Sequence, residues 1–394
     1  MNRPTAWSFA YGILAVCLFD PATAQTPDNP LTPSHAPAPR ARVIENAAPV
    51  GTKPLSGSQP APTPDPIPPQ APTVSSKAGA LTPVRAELPQ TEEKTAPEPD
   101  KDDLEAIIRL QIFLDEHNFG PGNIDGKMGE FTRKAGEIFN QVHGIEKGNW
   151  YYLLKASRKL ITTTYAAYRL KDNDFRFVMA SLPTKPSQQA QCKYLGYRSI
   201  LEFVAERFHT SEECLVRVNP GLRWEGLRPR DLVMVPNVKS PFLIEDVPYS
   251  LKFETDPLLS ARRVTVDTKE RVATFHDETG KLFASFPITP GEKKFLHFGE
   301  WEVTNMVTTP EFRWDEAMLN QGKRSEQYHQ LPPGPNNPVG IFWAGTSKTG
   351  IGLHGTATPH TIGRSQSHGC VRLANWDAIR LPDLIRPGAK VLIK

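Results

Sequence analysis

Two short stretches hold residue types that can carry out covalent chemistry by themselves: Ile351-Gly352-Leu353-His354-Gly355-Thr356 and Ser367-His368-Gly369-Cys370-Val371-Arg372-Leu373. A cysteine thiol titrates near ~8.5, so at neutral pH only a small fraction is thiolate unless a neighbouring imidazole takes the proton. Both stretches supply a histidine. His354 precedes Cys370 by 16 residues, enough chain to leave the end of one strand, loop round and bring the two side chains together. The flanking glycines let the backbone pass close to a bulky substrate and aim amide N–H groups at a developing oxyanion. In an extended segment His368, Cys370 and Arg372 share one face. His368 is therefore a second candidate base, and Arg372 can meet a substrate carboxylate or make a structural ion pair.

A zinc site is the rival chemistry, because His354, His360, His368 and Cys370 are all ligand types. Spacing argues against it. Only one residue separates His368 from Cys370, and no His-Glu-x-x-His helix or paired-cysteine motif accompanies them. The expectation is a thiol enzyme with no metal and no cofactor.

The segments that must position these residues are of several kinds. The first residues read as an export signal over 1–24: Arg3, an apolar run from Trp7 to Phe19, and Ala22-Thr23-Ala24 before Gln25. That run is shorter than the ~20 residues a spanning helix needs, so a permanent N-terminal anchor is the lesser alternative and the mature form should have no stable membrane span. Cys17 falls within the discarded signal. Export leaves Cys192, Cys214 and Cys370, an odd number in an oxidising compartment, so one should remain a thiol. Cys192 and Cys214 lie in one small segment and are candidates for a bridge; burial of both as apolar thiols is the alternative.

Most of the 39 prolines fall before residue 100, and 25–100 is poor in aromatics. Such a stretch cannot bury enough apolar surface to offset its ordering entropy, which predicts a disordered, partly polyproline spacer. The net charge of +3 suits an anionic polymer and is too weak to argue for nucleic acid.

From 101 to 148 the apolar spacing predicts two amphipathic helices, with Leu104, Ile107, Ile108 and Leu114 on one face and Phe131, Ala135, Ile138, Phe139 and Val142 on the other helix. A turn-rich loop from Phe119 to Gly126 separates them. From 190 to 239 a helix face (Ile200, Phe203, Val204, Phe208), an Asn219-Pro220-Gly221 turn and a strand Leu232–Val235 follow in order. From 262 onward the texture is short alternating runs: 264–266, 271–275, 282–288, 301–307, 340–343, 350–353 and 390–393. These predict a mostly antiparallel β domain, with one helix from Asn375, a cap candidate, to about Leu381.

Three of these segments resemble known families. Leu110-Gln111, Ile124-Asp125-Gly126, Gly129, Thr132 and Phe139 resemble the small helical peptidoglycan-binding domain, with Asn140 a departure from its pattern. The 190–239 segment resembles a LysM module, which binds glycan, with Arg230 where a turn glycine is usual. A purely structural helical hairpin is the alternative for the first, and packing against the β domain for the second. The His354 stretch followed by Ser-His-Gly-Cys-apolar-Arg is similar to the signature of the L,D-transpeptidase catalytic domain, the YkuD type. Pro332 to Gly340 and Ile362-Gly363-Arg364 match as well, whereas Phe298-Gly299-Glu300-Trp301 stands where a Thr-Pro-x-Gly element is common.

That resemblance implies a multidomain chain whose last part, 262–394, is a β-sandwich. It implies Cys370 as nucleophile, His354 as general base, the Gly355 carbonyl orienting that imidazole, and the amides of Gly369 and Cys370 as oxyanion hole. His368, Arg372, Ser367 and Thr356 would shape the substrate side. The implied reaction is thioester formation with a peptidoglycan tetrapeptide stem, release of D-Ala, and transfer to an amine of a neighbouring stem, giving a 3-3 cross-link. Hydrolysis of the thioester (an L,D-carboxypeptidase), transfer to an envelope lipoprotein, and a non-catalytic wall-binding scaffold are the alternatives. Stem peptides and glycan are the implied partners, and the periplasm or cell envelope the implied location.

Overall fold

The computed structural model of the chain describes residues 95–292, 295, 297–365 and 369–394. The expected export signal and nearly all of the proline-rich spacer lie outside those residues. The last part of the expected spacer is tied down: Trp150 donates to Ala96 O at 2.9 Å, and Arg133 grips Glu98 at 2.8 Å. The fold thus takes hold a few residues before position 101.

Helix α1 (Leu104–Glu116) begins at Asp103, whose carboxylate accepts from Ala106 N at 3.0 Å, satisfying one of the amides that a helix start leaves without an intrahelical partner. Of the expected face, Ile107, Ile108 and Leu114 are fully buried but Leu104, in the first turn, is 40% exposed; Leu110, Ile112 and Phe113 are buried as well, so α1 is enclosed on more than one face. Helix α2 (Glu130–Val142) follows the loop, and a third helix, α3 (Tyr151–Leu160), packs back on α1. Gln111 explains the loop motif. Its buried amide accepts from Asp125 N at 3.0 Å and Gly126 N at 2.9 Å, and donates to Thr132 Oγ1 at 3.1 Å.

Next come β1 (Tyr165–Arg169), a short α4 (Pro186–Gln189), α5 (Ile200–Arg207), α6 (Glu212–Val218) and β2 (Leu232–Pro236). Ser199 and Ser211 cap α5 and α6. Strand β2 pairs antiparallel with β1, Tyr165 opposite Pro236 and Arg169 opposite Leu232. The strand partner therefore lies upstream of the expected 190–239 range. An insertion carrying α4 separates β1 from α5, and β1 (Tyr-Ala-Ala-Tyr-Arg) has little alternation to announce it.

The bridge considered between Cys192 and Cys214 does not form; both are thiols. They sit in different apolar clusters, Cys214 in the main core and Cys192 beside Leu182, Leu195 and Leu331. Tertiary packing has carried two residues close in sequence to separate places.

The β domain runs β3 (Arg263–Asp267), β4 (Val272–His276), β5 (Leu282–Pro287), β6 (Gly299–Thr308), β7 (Phe312–Trp314), α7 (Glu316–Gln321), β8 (His329–Leu331), β9 (Phe342–Thr346), β10 (Gly352–His354), β11 (Val371–Arg372), α8 (Asn375–Ala378), α9 (Leu381–Leu384) and β12 (Lys390–Ile393). Eight strands share one sheet in the order β11-β10-β9-β6-β12-β3-β4-β5, and β7 and β8 form a separate hairpin. Long β6 makes the corner: Gly299–Glu302 pair with β12, and the residues from Val303 onward pair with β9, with a bulge between Val303 and Asn305. Thr289 and Arg372 exchange backbone hydrogen bonds at 2.9 and 3.0 Å, which joins the β5 end of the sheet to β11. The expected sandwich is thus one continuous sheet folded back on itself.

The helices and the β1–β2 module pack directly on this sheet. Gly120 N donates to Ser285 O at 2.7 Å and Ser285 N to Asn118 O at 2.9 Å, so the α1–α2 loop pairs with the outer edge of β5. On its other side Ile124 N donates to His209 O at 2.8 Å. One apolar cluster includes Ile107, Phe203 and Ile393. Among the described residues no helix is long and apolar enough to cross a membrane.

Candidate active site

Strand β10 lies between β9 and β11, antiparallel to the first and parallel to the second, with Leu353 opposite Val371 and His354 opposite Arg372. Facing partners in a parallel pair point to the same side of the sheet, and side chains alternate along each strand. Leu353 and Val371 are both fully buried in the core. His354 and Arg372 therefore share the opposite face, and Cys370 lies just before β11, close enough for its sulfur and the Arg372 guanidinium to interact electrostatically.

His354 is only 4% exposed. Its Nδ1 is 2.6 Å from the carbonyl oxygen of Gly355. An imidazole that donates from Nδ1 to a carbonyl keeps Nε2 as the acceptor, which is the form a general base needs. The ring stacks on half-buried Trp343 of β9, centroids 5.5 Å apart at 19°. Burial, opposed by the Gly355 hydrogen bond and aided by the charge of Arg372, pushes the His354 pKa down to about 3.

The Cys370 Sγ is 3.2 Å from the carbonyl of Gly350. Burial pushes the thiol up to about 11, against the opposing pull of a Gly352 backbone hydrogen bond and of Arg372. Arg372 thus acts electrostatically on both groups, favouring the thiolate and disfavouring the imidazolium. Gly369, just before the nucleophile candidate, has φ +112°, and Gly291 packs so closely on it that a Cβ there would come within 2.4 Å of the Gly369 Cα. Met318 of α7 lies beside Gly350, so the β7–β8 hairpin with its helix flanks this end of the site.

The two shifts act in one direction: they favour a neutral thiol and a neutral imidazole over a preformed ion pair. Alkylation of Cys370 by iodoacetamide should therefore keep accelerating with pH through 7 and 8. A rate plateau between pH 5 and 8 would contradict this, since it marks a thiolate already held by an imidazolium.

Ser367 and His368 lie outside the described residues. Thr356, expected on the substrate side, is buried. Its hydroxyl faces Thr358 at 3.4 Å, and its amide donates to the Asn375 side chain at 3.1 Å. The expected cap at Asn375 is a correction, because α8 is capped at Ala374 and the Asn375 amide serves other backbone groups. The run from Pro332 to Gly340 is held by the β1–β2 module: Leu195 N donates to Pro333 O at 2.9 Å and Asn336 Nδ2 to Gly196 O at 2.8 Å. Sequence reasoning passed over Trp343 and Gly291, and the only signal for Trp343 was an aromatic in a strand next to small Ala344 and Gly345. Among the described residues no three His, Cys, Asp or Glu side chains converge on a point that could hold a metal ion.

Residues 261–393 match the family model YkuD, described as the L,D-transpeptidase catalytic domain. YkuD of Bacillus licheniformis, named as an L,D-transpeptidase, is 25% identical over 193 residues, which is 49% of this chain and 92% of the relative. Its namesake in Bacillus subtilis is 26% identical over the same coverage. These alignments are longer than the range of the family model, so the likeness extends beyond 261–393. Among solved structures, L,D-transpeptidase 3 from Mycobacterium tuberculosis with a faropenem-derived adduct is 15% identical with a TM-score of 0.28, covering 43% of this chain and 75% of that one. An L,D-transpeptidase from Mycobacterium smegmatis is 17% identical with a TM-score of 0.27, covering 34% of this chain and 58% of that one.

Proposed function

We propose that the C-terminal L,D-transpeptidase catalytic domain of this chain cross-links peptidoglycan stems through a thioester on Cys370. The observation that supports this reading is the β10–β11 register, which pairs His354 with Arg372 two residues after Cys370, together with the Gly355 carbonyl oxygen 2.6 Å from Nδ1 of the imidazole.

In the first half-reaction His354 Nε2 takes the thiol proton as Sγ attacks the carbonyl of the residue preceding the terminal D-Ala. The S–C bond forms, the tetrahedral oxyanion sits against the Gly369 and Cys370 amides, and collapse breaks the C–N bond. His354 returns its proton to the departing amine of D-Ala. In the second half-reaction an amine on a neighbouring stem attacks the thioester carbonyl, the S–C bond breaks and the thiol recovers a proton. Because both resting groups are neutral, proton transfer and attack are coupled. Arg372, beside the sulfur, offers a guanidinium to a substrate carboxylate. Transfer to an amine gives the 3-3 linkage; transfer to water gives a trimmed tripeptide; a lipoprotein lysine is a third acceptor of the same chemistry. Such substrates place the enzyme at the cell envelope.

Incubation of the full chain with disaccharide-tetrapeptide fragments tests this. A dimeric muropeptide with loss of D-Ala is expected, unaffected by chelator and abolished by iodoacetamide. Tripeptide alone would reassign the enzyme to trimming. No product and no mass adduct on Cys370 with a carbapenem would leave the wall-binding scaffold as the reading.

A further inference from the structure

The side chain of Asn375 is fully buried. Its Oδ1 accepts from Ile341 N at 3.2 Å and Thr356 N at 3.1 Å. The second of these matters most, because the amide N–H of Thr356 and the carbonyl of Gly355 belong to the same peptide unit. The carbonyl end of that unit meets His354 Nδ1 at 2.6 Å, so one peptide plane is held by Asn375 at one end and holds the imidazole at the other. The fit tolerates no extra atom: a Cβ on Gly340 or on Gly355 would come within 2.0 or 2.1 Å of Asn375 Oδ1.

An amide can flip, and only its partners decide which end is oxygen. The Nδ2 end of Asn375 donates to Glu206 Oε1 at 2.9 Å and Pro335 O at 3.3 Å. Both are acceptors, so the flipped amide would set its oxygen against them and its NH2 against two N–H donors. Glu206 belongs to α5, outside the catalytic domain. It is 5% exposed, and Tyr197 Oη donates to the same oxygen at 2.9 Å. A buried carboxyl with two donors on one oxygen and a side-chain amide between it and the base is a built relay.

We propose that Glu206, supplied by the β1–β2 module, is a positioning residue for His354: through the Asn375 amide it fixes the Gly355–Thr356 peptide plane and with it the imidazole tautomer. The proposal rests on His354 being the base. It gives the LysM-like segment a role in catalysis whether or not that segment binds glycan.

The test uses the full chain with Glu206→Ala, Glu206→Gln and Asn375→Asp, and Glu206→Gln combined with Asn375→Asp. Two readouts are taken on protein shown folded by circular dichroism: the His354 tautomer by 15N NMR at pH 7, and the pH profile of Cys370 acylation by a tetrapeptide fragment. Glu206→Ala should lower acylation about 10- to 100-fold with little change in KM and give mixed tautomers. Glu206→Gln, which keeps an acceptor oxygen, should restore both. Asn375→Asp alone should fail, and the double variant should recover part of the rate, because the amide introduced by Glu206→Gln can donate to the new carboxylate. A folded Glu206→Ala protein with a wild-type tautomer and rate would overturn the proposal, as would a Glu206→Gln variant as impaired as the alanine. If the wild-type chain acylates no stem peptide, the enzymatic reading fails, and the tautomer measurement still decides whether Glu206 orients His354.

Discussion

A Cys370→Ala chain is expected to form no acyl adduct with a tetrapeptide stem or a carbapenem, and cross-linking should fall by at least about 10⁴-fold, the scale on which loss of a nucleophile is felt. The substitution deletes only a sulfur from a half-buried position just before β11, so folding should be unaffected. The pairing of Thr289 with Arg372 and of Leu353 with Val371 is backbone work that alanine supports equally well. His354→Ala should cost nearly as much, because a thiol resting near 11 needs a base to take its proton. The two losses should not add: nucleophile and base act as a unit, so the double variant should be no worse than either single one. Intact-mass detection of the adduct is the measurement. An adduct on Cys370→Ala at the wild-type rate would show that another group is acylated and would end the thioester account.

The second large effect concerns folding. Asp115 of α1 is 2% exposed and receives Arg380 Nη2 at 2.9 Å and His209 Nδ1 at 2.9 Å. Three segments far apart in the chain thereby meet at one carboxylate. Burial alone would raise its pKa, but Arg380 and His209 more than reverse that and hold it well below the usual carboxylate range. Asp115→Ala leaves the Arg380 guanidinium without its closest carboxylate beside Asp377, whose own acid burial pushes up to about 8. Removing one partner of a buried pair typically costs about 3–5 kcal/mol, and urea unfolding should show an unfolding free energy lower by that amount, seen as a lowered midpoint. The sign with pH follows from the lowered pKa: the Asp115 contribution is fully present above its unfolded value near 4 and is lost as pH falls towards its folded value. Wild type and Asp115→Ala should thus converge in stability under strong acid. Equal stability at pH 7 would mean that the helices are not clamped to the β domain through this carboxylate.

This clamp bears on how the chain is organised. The sequence reads as separate modules on a line, because each segment has its own periodicity and its own turn residues. The structure instead packs them together: Asn118 and Gly120 pair with the edge of β5, Leu195 and Asn336 cross-link the module to the Pro332–Gly340 run, and Glu206 reaches Asn375. Gln111, whose Leu-Gln context suggested a ligand-binding motif, is fully occupied in locking its own loop.

What the amino-acid sequence determined unaided was the local structure and which residues are candidates for chemistry. Cys370 and His354 were legible because a thiol and an imidazole among glycines form a rare local pattern. The helix face of Ile107–Leu114 and most strands from Val264 to Ile393 were legible because 3.6-residue spacing and alternation are local properties, whereas β7, β8 and β11, of two or three residues each, are too short to show alternation. Position was decided only by tertiary structure. The parallel pairing of β10 with β11, the use of Asn375 as a clamp rather than a cap, the separation of Cys192 from Cys214 and the union of Asp115 with Arg380 all join residues whose partners lie elsewhere along the chain. Spacing along a sequence carries no information about such partners, because their energy comes from desolvating polar groups together, and that happens only once the surrounding core has excluded water.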